Sequence, residues 1–248
     1  MSFAAFFIPD FALQALLRHT PELRALPVAL IPQNSPRPSI IQATAAAQQS
    51  GVTVGMTPSQ GLARCRELKI KTASRTAEDS ASAALFDYAW SLSRFVEQTA
   101  PGICTIALDA AQRQPHSRAA WLEGLARLNL TGRVGIAPNP DLALLAAQSA
   151  ETSREIHTAG ELGEVPVEIL DPSPEIATIL HQWGIRTLSE FVRLGRERLV
   201  ERLGPGVLAL FDRAAGNIRR PLRCTMPPES FHEEVEFEND IETLEPLL

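Results

Sequence analysis

The sequence predicts an α+β fold, and three observations carry that prediction. Short apolar runs of strand length alternate with helix-length amphipathic stretches from the N-terminus to about Gly163. Past Gly163 the strand-like runs stop and helical periodicity continues alone. The chain has 248 residues, 45% of them apolar, which is enough for one large or roughly two to three small domains with buried cores.

In chain order, Phe3 to Ile8 reads as a buried strand closed by Pro9, which cannot donate to a sheet ladder. Asp10 is placed to cap a helix carrying Phe11, Leu13, Leu16 and Leu17. Val28 to Ile31 is a second strand, and Ile40-Ile41 begins a third that leads into an Ala-rich helix from Thr44 to Ser50, ended by Gly51. Thr57-Pro58 opens a helix running to about Leu68, and Lys69 to Thr72 has strand length. A long helix is expected over 76–98, with Leu85, Tyr88, Leu92, Phe95 and Val96 on one face. A strand at Ile103 to Leu108, a helix near 117–128, a strand at Arg133 to Ala137 and a helix over 141–153 follow. The last part is read as four short helices, 173–183, 188–194, 196–203 and 207–215, and the tail as an acidic linker or edge strand.

Composition excludes several classes of protein. No run of 18 apolar residues exists, so no membrane span is expected. The N-terminus lacks a basic region ahead of its apolar run, which Pro9-Asp10 interrupts, so no secretory signal is expected and the cytoplasm is the default. Cys65, Cys104 and Cys224 share no metal-ligand spacing and no disulfide pattern. The net charge of −6 argues against a chain that coats nucleic acid over its whole surface. Its distribution says more: residues 176–224 hold nine Arg against four acids, whereas 227–248 hold eight acids and no Lys or Arg.

The strongest local motif is Gly184-Ile185-Arg186-Thr187 followed by Leu203-Gly204-Pro205-Gly206-Val207. Glycine-bearing hairpins between short helices can present helix N-terminal N–H groups to a phosphate, the physics of sequence-independent DNA backbone contact by a helix-hairpin-helix. Arg186, Arg196, Arg198, Arg202, Arg219 and Arg220 lie close by in the sequence. An ordinary helical hairpin, with glycines that only turn the chain, is the competing reading. No Walker-type phosphate loop and no nucleophile elbow is present, and the five histidines are scattered. Asp10 and Asp109 are the only acids at strand ends, and a two-metal site would need such acids to converge.

The order of these pieces resembles a Y-family DNA polymerase over nearly all of the chain. The matching segments are FIPDFALQALL and PELRALPVAL, then IIQATAAAQQSGVTVGMTPSQGLA, ICTIALD, GIAPNPDLALLAAQSA and WGIRTLSEFVRLGRERLVERLGPGVLALFDRAAG. The resemblance implies a palm from 1–10 and 76–165 with a mixed or antiparallel sheet, small fingers from 11–75, and a helical, helix-hairpin-helix-containing thumb from 166–225. Residues 226–248 would form an acidic linker towards a little-finger domain that these 248 residues do not include.

The departures from that family matter for function. By the resemblance, its first metal-binding Asp falls on Ile8, and its Asp-Glu pair on Cys104-Thr105 or Thr105-Ile106. The sugar-sensing aromatic becomes Leu13, the triphosphate-holding Tyr and Arg become Ala45 and Gln48, and palm lysines fall on Pro140 and Leu144. Asp10 matches only the second acid of the family's acid-x-acid pair, and neither Ile8 nor the second-strand positions supply a carboxylate, so neither metal nor cofactor is expected. This pattern is similar to the catalytically inactive, ImuB-like branch of the family. That likeness implies a scaffold in bacterial translesion synthesis and SOS mutagenesis, placed in the cytoplasm at the nucleoid. It would contact primer-template or damaged DNA and bring an error-prone DnaE-type polymerase and a RecA-like ImuA to the sliding clamp. Two alternatives stay open: an active polymerase with relocated carboxylates, and a pure protein-interaction module.

Overall fold

The computed structural model describes residues 2–109, 112, 115–218 and 220–226. In chain order the elements are β1 (Ser2–Phe7), α1 (Phe11–Leu17), β2 (Val28–Ile31), β3 (Gln42–Ala43), α2 (Ala45–Gln49), α3 (Pro58–Arg64) and β4 (Lys69–Thr72). They continue as α4 (Arg75–Leu92), β5 (Val96–Ala100), β6 (Ile103–Leu108), α5 (Pro115–Arg127), β7 (Arg133–Ala137), α6 (Pro140–Ser149) and β8 (Ser153–Glu155). The helices α7 (Pro174–Gln182), α8 (Leu188–Arg193), α9 (Arg196–Leu203) and α10 (Leu208–Ala215) close the described fold.

β1 is a continuous apolar run because it is the central strand of a five-stranded sheet covered on both faces. The order is β5-β6-β1-β7-β8, with β1 antiparallel to both β6 and β7 and β8 parallel to β7. Alternation sorts its residues: Ala4, Phe6 and Ile8 pack with Leu85, Trp121 and Leu125 of α4 and α5, while Phe3 and Ala5 join the core under α6. Phe6 meets Tyr88 and Trp121 edge-on at 6.0 and 5.9 Å between ring centroids. On the other face α6 lies directly on β7, because Gly135 leaves room for it. A Cβ there would sit 2.0 Å from the Ala143 carbonyl oxygen and 2.2 Å from the Ala147 nitrogen.

Four local expectations are corrected. The helix expected over 76–98 ends at Leu92, and Val96 begins β5. Ser93 stops it: its hydroxyl donates to the Ala107 carbonyl (2.9 Å) and accepts from the Phe95 N–H (3.2 Å), tying the chain to β6 instead of to another helical turn. The helix expected to reach residue 153 ends at Ser149, and Ser153–Glu155 pairs with β7. Asp10 stands at the start of α1 but caps nothing with its side chain. It adopts a left-handed conformation (φ 47°, ψ 44°) that turns the chain after Pro9. The helix after Thr57 ends at Arg64, and a capping box between Thr57 and Gln60 fixes its start.

Residues 11–75 build a second, three-stranded sheet of order β3-β2-β4. Ala29, Ile40, Ala43, Ala47, Val52 and Leu68 fill one face, and Leu13, Leu17, Val28 and Leu30 the other. Polar side chains fasten this lobe to the loop before β7. Gln14 donates to the carbonyls of Pro9 and Thr131 and accepts from the Thr131 N–H; Arg18 donates to the Leu128 carbonyl and Arg24 to that of Asn129.

The four C-terminal helices share one core with α6, in which Leu142 and Leu145 meet Leu162, Leu180, Phe191, Leu199 and Phe211. Residues 220–226 then return to the five-stranded sheet, where the Thr225 N–H donates to the Val96 carbonyl (2.9 Å). Of the expected acidic linker, only Met226 falls within the described residues. Among the described residues no helix is long and apolar enough to cross a membrane.

Candidate functional site

Two places matter: the end of β1, where a metal would be expected from the resemblance, and the hairpins between the C-terminal helices.

At the end of β1 the backbone N–H of Ile8 donates to the Gly102 carbonyl (2.9 Å), and Phe7 lies opposite Ile103. The register therefore brings Gly102 beside Ile8, sends the Ile103 side chain to the face of Phe7, and leaves Cys104 on the same face and in the same core as Ile8. Cys104, Thr105 and Ile106 lie opposite Phe6, Ala5 and Ala4, further along the strand. All three are buried, and burial pushes the Cys104 thiol up to about 12. Of the residues beside Ile8, Gly102 lies outside the positions expected from the sequence; the signal that could have found it is the Pro101-Gly102 turn.

This corner is filled with apolar groups. Ile8 is 2% exposed, and its Cδ1 would lie 2.9 Å from a Cβ placed on Gly132. Gly102 has φ +74°, and a Cβ there would fall 2.7 Å from the ring of Phe11. Divalent ions of the phosphoryl-transfer kind need several oxygen ligands. Isoleucine, glycine and phenylalanine offer none, so the residues present do not fit such an ion. Among the described residues no three His, Cys, Asp or Glu side chains gather into a group that could hold one. Asp10 and Asp109 do not converge either. Ser2 pairs with Leu108 in an antiparallel ladder, so the two acids lie at opposite ends of strands that span about 20 Å. Asp109 accepts the Gln112 N–H there (2.9 Å).

The positions expected to meet a triphosphate are equally uncharged. Leu13, on α1, is buried against Val28 and Leu30 of the second sheet, its N–H donating to Gln42 Oε1 (2.8 Å). Gln48 turns back onto the Ala43 carbonyl (3.0 Å), Pro140 is buried, and Leu144 packs on the core.

The helical hairpins are open where that corner is closed. Gly184 (φ +74°) links α7 to α8, and Gly204-Pro205-Gly206 links α9 to α10; nothing lies within 4 Å of a Cβ placed on any of these three glycines. Gly204 has φ 78° and ψ 176°, a region open essentially to glycine alone. The two hairpins differ in their N–H groups. In the first, Glu190 Oε2 accepts the N–H groups of Arg186 (2.7 Å) and Thr187 (3.1 Å), and these bonds hold the Glu190 carboxyl below the usual range. The second has no acid in its first turn. Its Val207 and Leu208 N–H groups turn back onto the carbonyls of Gly204 (3.5 Å) and Pro205.

The arginines are spread between them. The Arg202 guanidinium lies 5.5 Å from the centre of the Trp183 ring. Arg198 and Arg202 border a hollow of about 160 Å³ lined with Trp183, Ile185, Leu194 and Leu199. Arg196 approaches Asp212 at 3.9 Å. Arg186 Nη1 lies 3.3 Å from His181 Nδ1, whose Nε2 is 2.6 Å from Glu168. Arg220 is elsewhere: it donates to Glu97 (2.6 Å) and Asp141 (3.2 Å) and so holds residues 220–226 against β5. Arg219 lies outside the described residues.

The comparisons agree with this architecture. The structure is similar to the crystal structure of DinB from Sulfolobus solfataricus, with 16% identity, 90% of this chain and 69% of that chain covered, and a TM-score of 0.73. An insertion ternary complex of Dbh DNA polymerase matches with 15% identity, the same coverage and a TM-score of 0.71, and a post-insertion binary complex of Dbh with 16%, the same coverage and 0.72. At such identities the likeness shows the α+β fold of these Y-family polymerase structures. No curated protein matches the chain. The family model described as IMS, impB/mucB/samB family, matches residues 6–148, more than half of the sequence, and the chain belongs to that family.

Proposed function

We propose that this chain is a non-catalytic DNA-binding accessory protein of translesion synthesis and damage-induced mutagenesis, an ImuB-like pseudoenzyme. Residues 1–10 and 76–165 serve as palm, 11–75 as fingers, 166–225 as thumb and 226–248 as linker. The observation that carries the reading is the corner at Ile8, Phe11, Gly102 and Cys104, where apolar packing stands in place of carboxylates. The structures it is similar to include complexes of a DNA polymerase, and the second hairpin with Arg196, Arg198 and Arg202 supplies the chemistry for backbone contact with primer-template or damaged DNA. In this reading the chain works in the bacterial cytoplasm at the nucleoid, and its partners are an error-prone DnaE-type polymerase, a RecA-like ImuA and the sliding clamp.

Primer extension with Mg²⁺ or Mn²⁺ tests the catalytic half. The expected result is no template-dependent incorporation. Incorporation that is lost in Asp10→Ala or Asp109→Ala would overturn the reading in favour of an enzyme with relocated acids. Salt-dependent binding to primer-template DNA tests the other half: changing Arg196, Arg198 and Arg202 to Ala is expected to flatten log K against log salt by about 2 to 3. A pure protein-interaction module, favoured by the net charge of −6, predicts no salt-dependent binding at all.

A further inference from the structure

The positive charge of this chain is concentrated where the thumb is not. Residues 11–75 carry eight Lys and Arg against only Glu22 and Glu67, an excess of six positive charges in a chain whose net charge is −6, and both lysines of the chain are among them. Structure accounts for three of the eight. Arg18 and Arg24 bond the carbonyls of Leu128 and Asn129, and Arg75 pairs with Asp79 at 3.8 Å. Arg37, Arg64, Arg66, Lys69 and Lys71 are exposed; none is among the six ion pairs of the described residues.

Four of these five fall in one short run, from the last residue of α3 through β4. β4 is an edge strand, pairing only with β2. Lys69 stands opposite Val28 and Lys71 opposite Leu30, so both side chains leave the same face of the sheet, about 7 Å apart along the strand. Lysines on an exposed edge also deter strand pairing. That function explains Lys69 and Lys71. It does not explain Arg64 at the end of α3 and Arg66 on the turn after it, in a run whose single acid is Glu67. Uncompensated like charge repels itself in the free protein, and a polyanion relieves that repulsion. No aromatic residue lies between Phe11 and Phe86, so the lobe has no platform for stacking bases, and contact is confined to phosphates.

We infer that the exposed cations around the edge strand β4, with Lys69 and Lys71 on the face of Val28 and Leu30, Arg64 beside Gly51 on the other face and Arg66 on the turn between, form a second, sequence-independent contact site for the nucleic-acid backbone, separate from the helical hairpins. It rests on the DNA-binding reading for the class of ligand and not for the residues.

Salt titrations of the full chain with a short mixed-sequence duplex, and with its single strand, test the inference. Four proteins are compared: the unaltered chain, R64A/R66A/K69A/K71A, R196A/R198A/R202A, and the combination. The first variant is expected to flatten log K against log salt by about 2 to 4, the combination to flatten it further, and R64K/R66K/K69R/K71R to keep the original slope. Because all four side chains are exposed, melting temperatures are expected to stay level; should the quadruple variant melt early, K69Q/K71Q on the strand edge alone is read in its place. A slope unchanged by loss of the four cations overturns the inference and leaves the thumb contact standing. A slope sensitive to these four and indifferent to Arg196, Arg198 and Arg202 does the reverse. Binding without salt dependence in the unaltered chain overturns both.

Discussion

Glycines mark two regions of this molecule, and they mark them in opposite ways. At Gly102, Gly132 and Gly135 an added Cβ would collide with Phe11, with Leu125 and Ile8, and with the backbone of α6. At Gly184, Gly204 and Gly206 it would meet nothing within 4 Å. The first group lets a sheet, a turn and a helix close into a dry core. The second keeps two hairpins slim towards the outside. Under the proposed function, the corner at Gly102 and Gly132 is where a metal would have to sit, and the hairpins are where a phosphate backbone would approach. The molecule is packed at the first and open at the second.

The comparison is broken most severely at Gly135. A methyl group there has no flexible side chain to displace, only the Ala143 carbonyl and the Ala147 N–H of α6, so Gly135→Ala is expected to destabilise the fold by about 4 kcal/mol, read from urea unfolding. A loss below about 1 kcal/mol would mean that helix and strand are not in the contact described. Gly102→Ala comes next. It must hold φ near +74° with a side chain and also move the ring of Phe11, for an expected loss of about 2 to 3 kcal/mol. Gly102→Asp should fare no better and should bring no metal-dependent incorporation, because the corner is occupied as well as uncharged.

Much of this was legible in the sequence, and the failures have physical causes. The strand at Ile103–Leu108 and the helix at Arg196–Leu203 were visible with their observed bounds, since each is a single uninterrupted pattern between turn residues. β5 was hidden because Leu85, Tyr88, Leu92, Phe95 and Val96 fall at helical spacings, and the break after Leu92 is made by Ser93 bonding to β6, a partner remote in sequence. β8 was hidden behind an Ala-rich helix, with no Gly or Pro between them. At the metal corner the sequence showed Ile8 and, as one of two placements, Cys104, but not Gly102. Which residues of the second strand face Ile8 is a matter of register, and register was supplied by the Ile8 bond to Gly102.

Glu97 lay in that misread stretch, and it is the one buried acid among the described residues. Burial alone would raise its carboxyl; the Arg220 guanidinium, the Arg223 N–H and the Thr99 hydroxyl outweigh burial and hold it below the ordinary value of 4.5. A depressed carboxylate contributes its stabilisation in full above about pH 4.5, and that contribution disappears as pH falls through the folded-state value. Residues 220–226 are therefore expected to loosen from β5 under acid conditions, seen as faster amide exchange at Arg223 and Thr225, both of which donate into this junction. Glu97→Gln should produce the same loosening at neutral pH, with a stability loss of about 2 kcal/mol. Exchange at these two amides that is indifferent to both pH and Glu97→Gln would show that the junction is held by something other than this carboxylate.

The smallest stability effect is expected at Gly206, and it separates the two regions best. Gly206 lies outside the set of glycines with positive φ, and a Cβ there meets nothing. Gly206→Ala should thus leave unfolding within about 0.5 kcal/mol of the original, or raise stability slightly by restricting the unfolded chain. If the hairpin's task is close approach to a phosphate backbone, the same methyl group stands between protein and ligand, and affinity for primer-template DNA should fall several-fold while the melting temperature stays put. At Gly102 the signs are reversed, since an added methyl group there takes stability and has no ligand to obstruct. A Gly206→Ala protein that binds DNA as tightly as the original would return the hairpin to an ordinary turn between helices. The phosphate contact would then have to come from side chains alone.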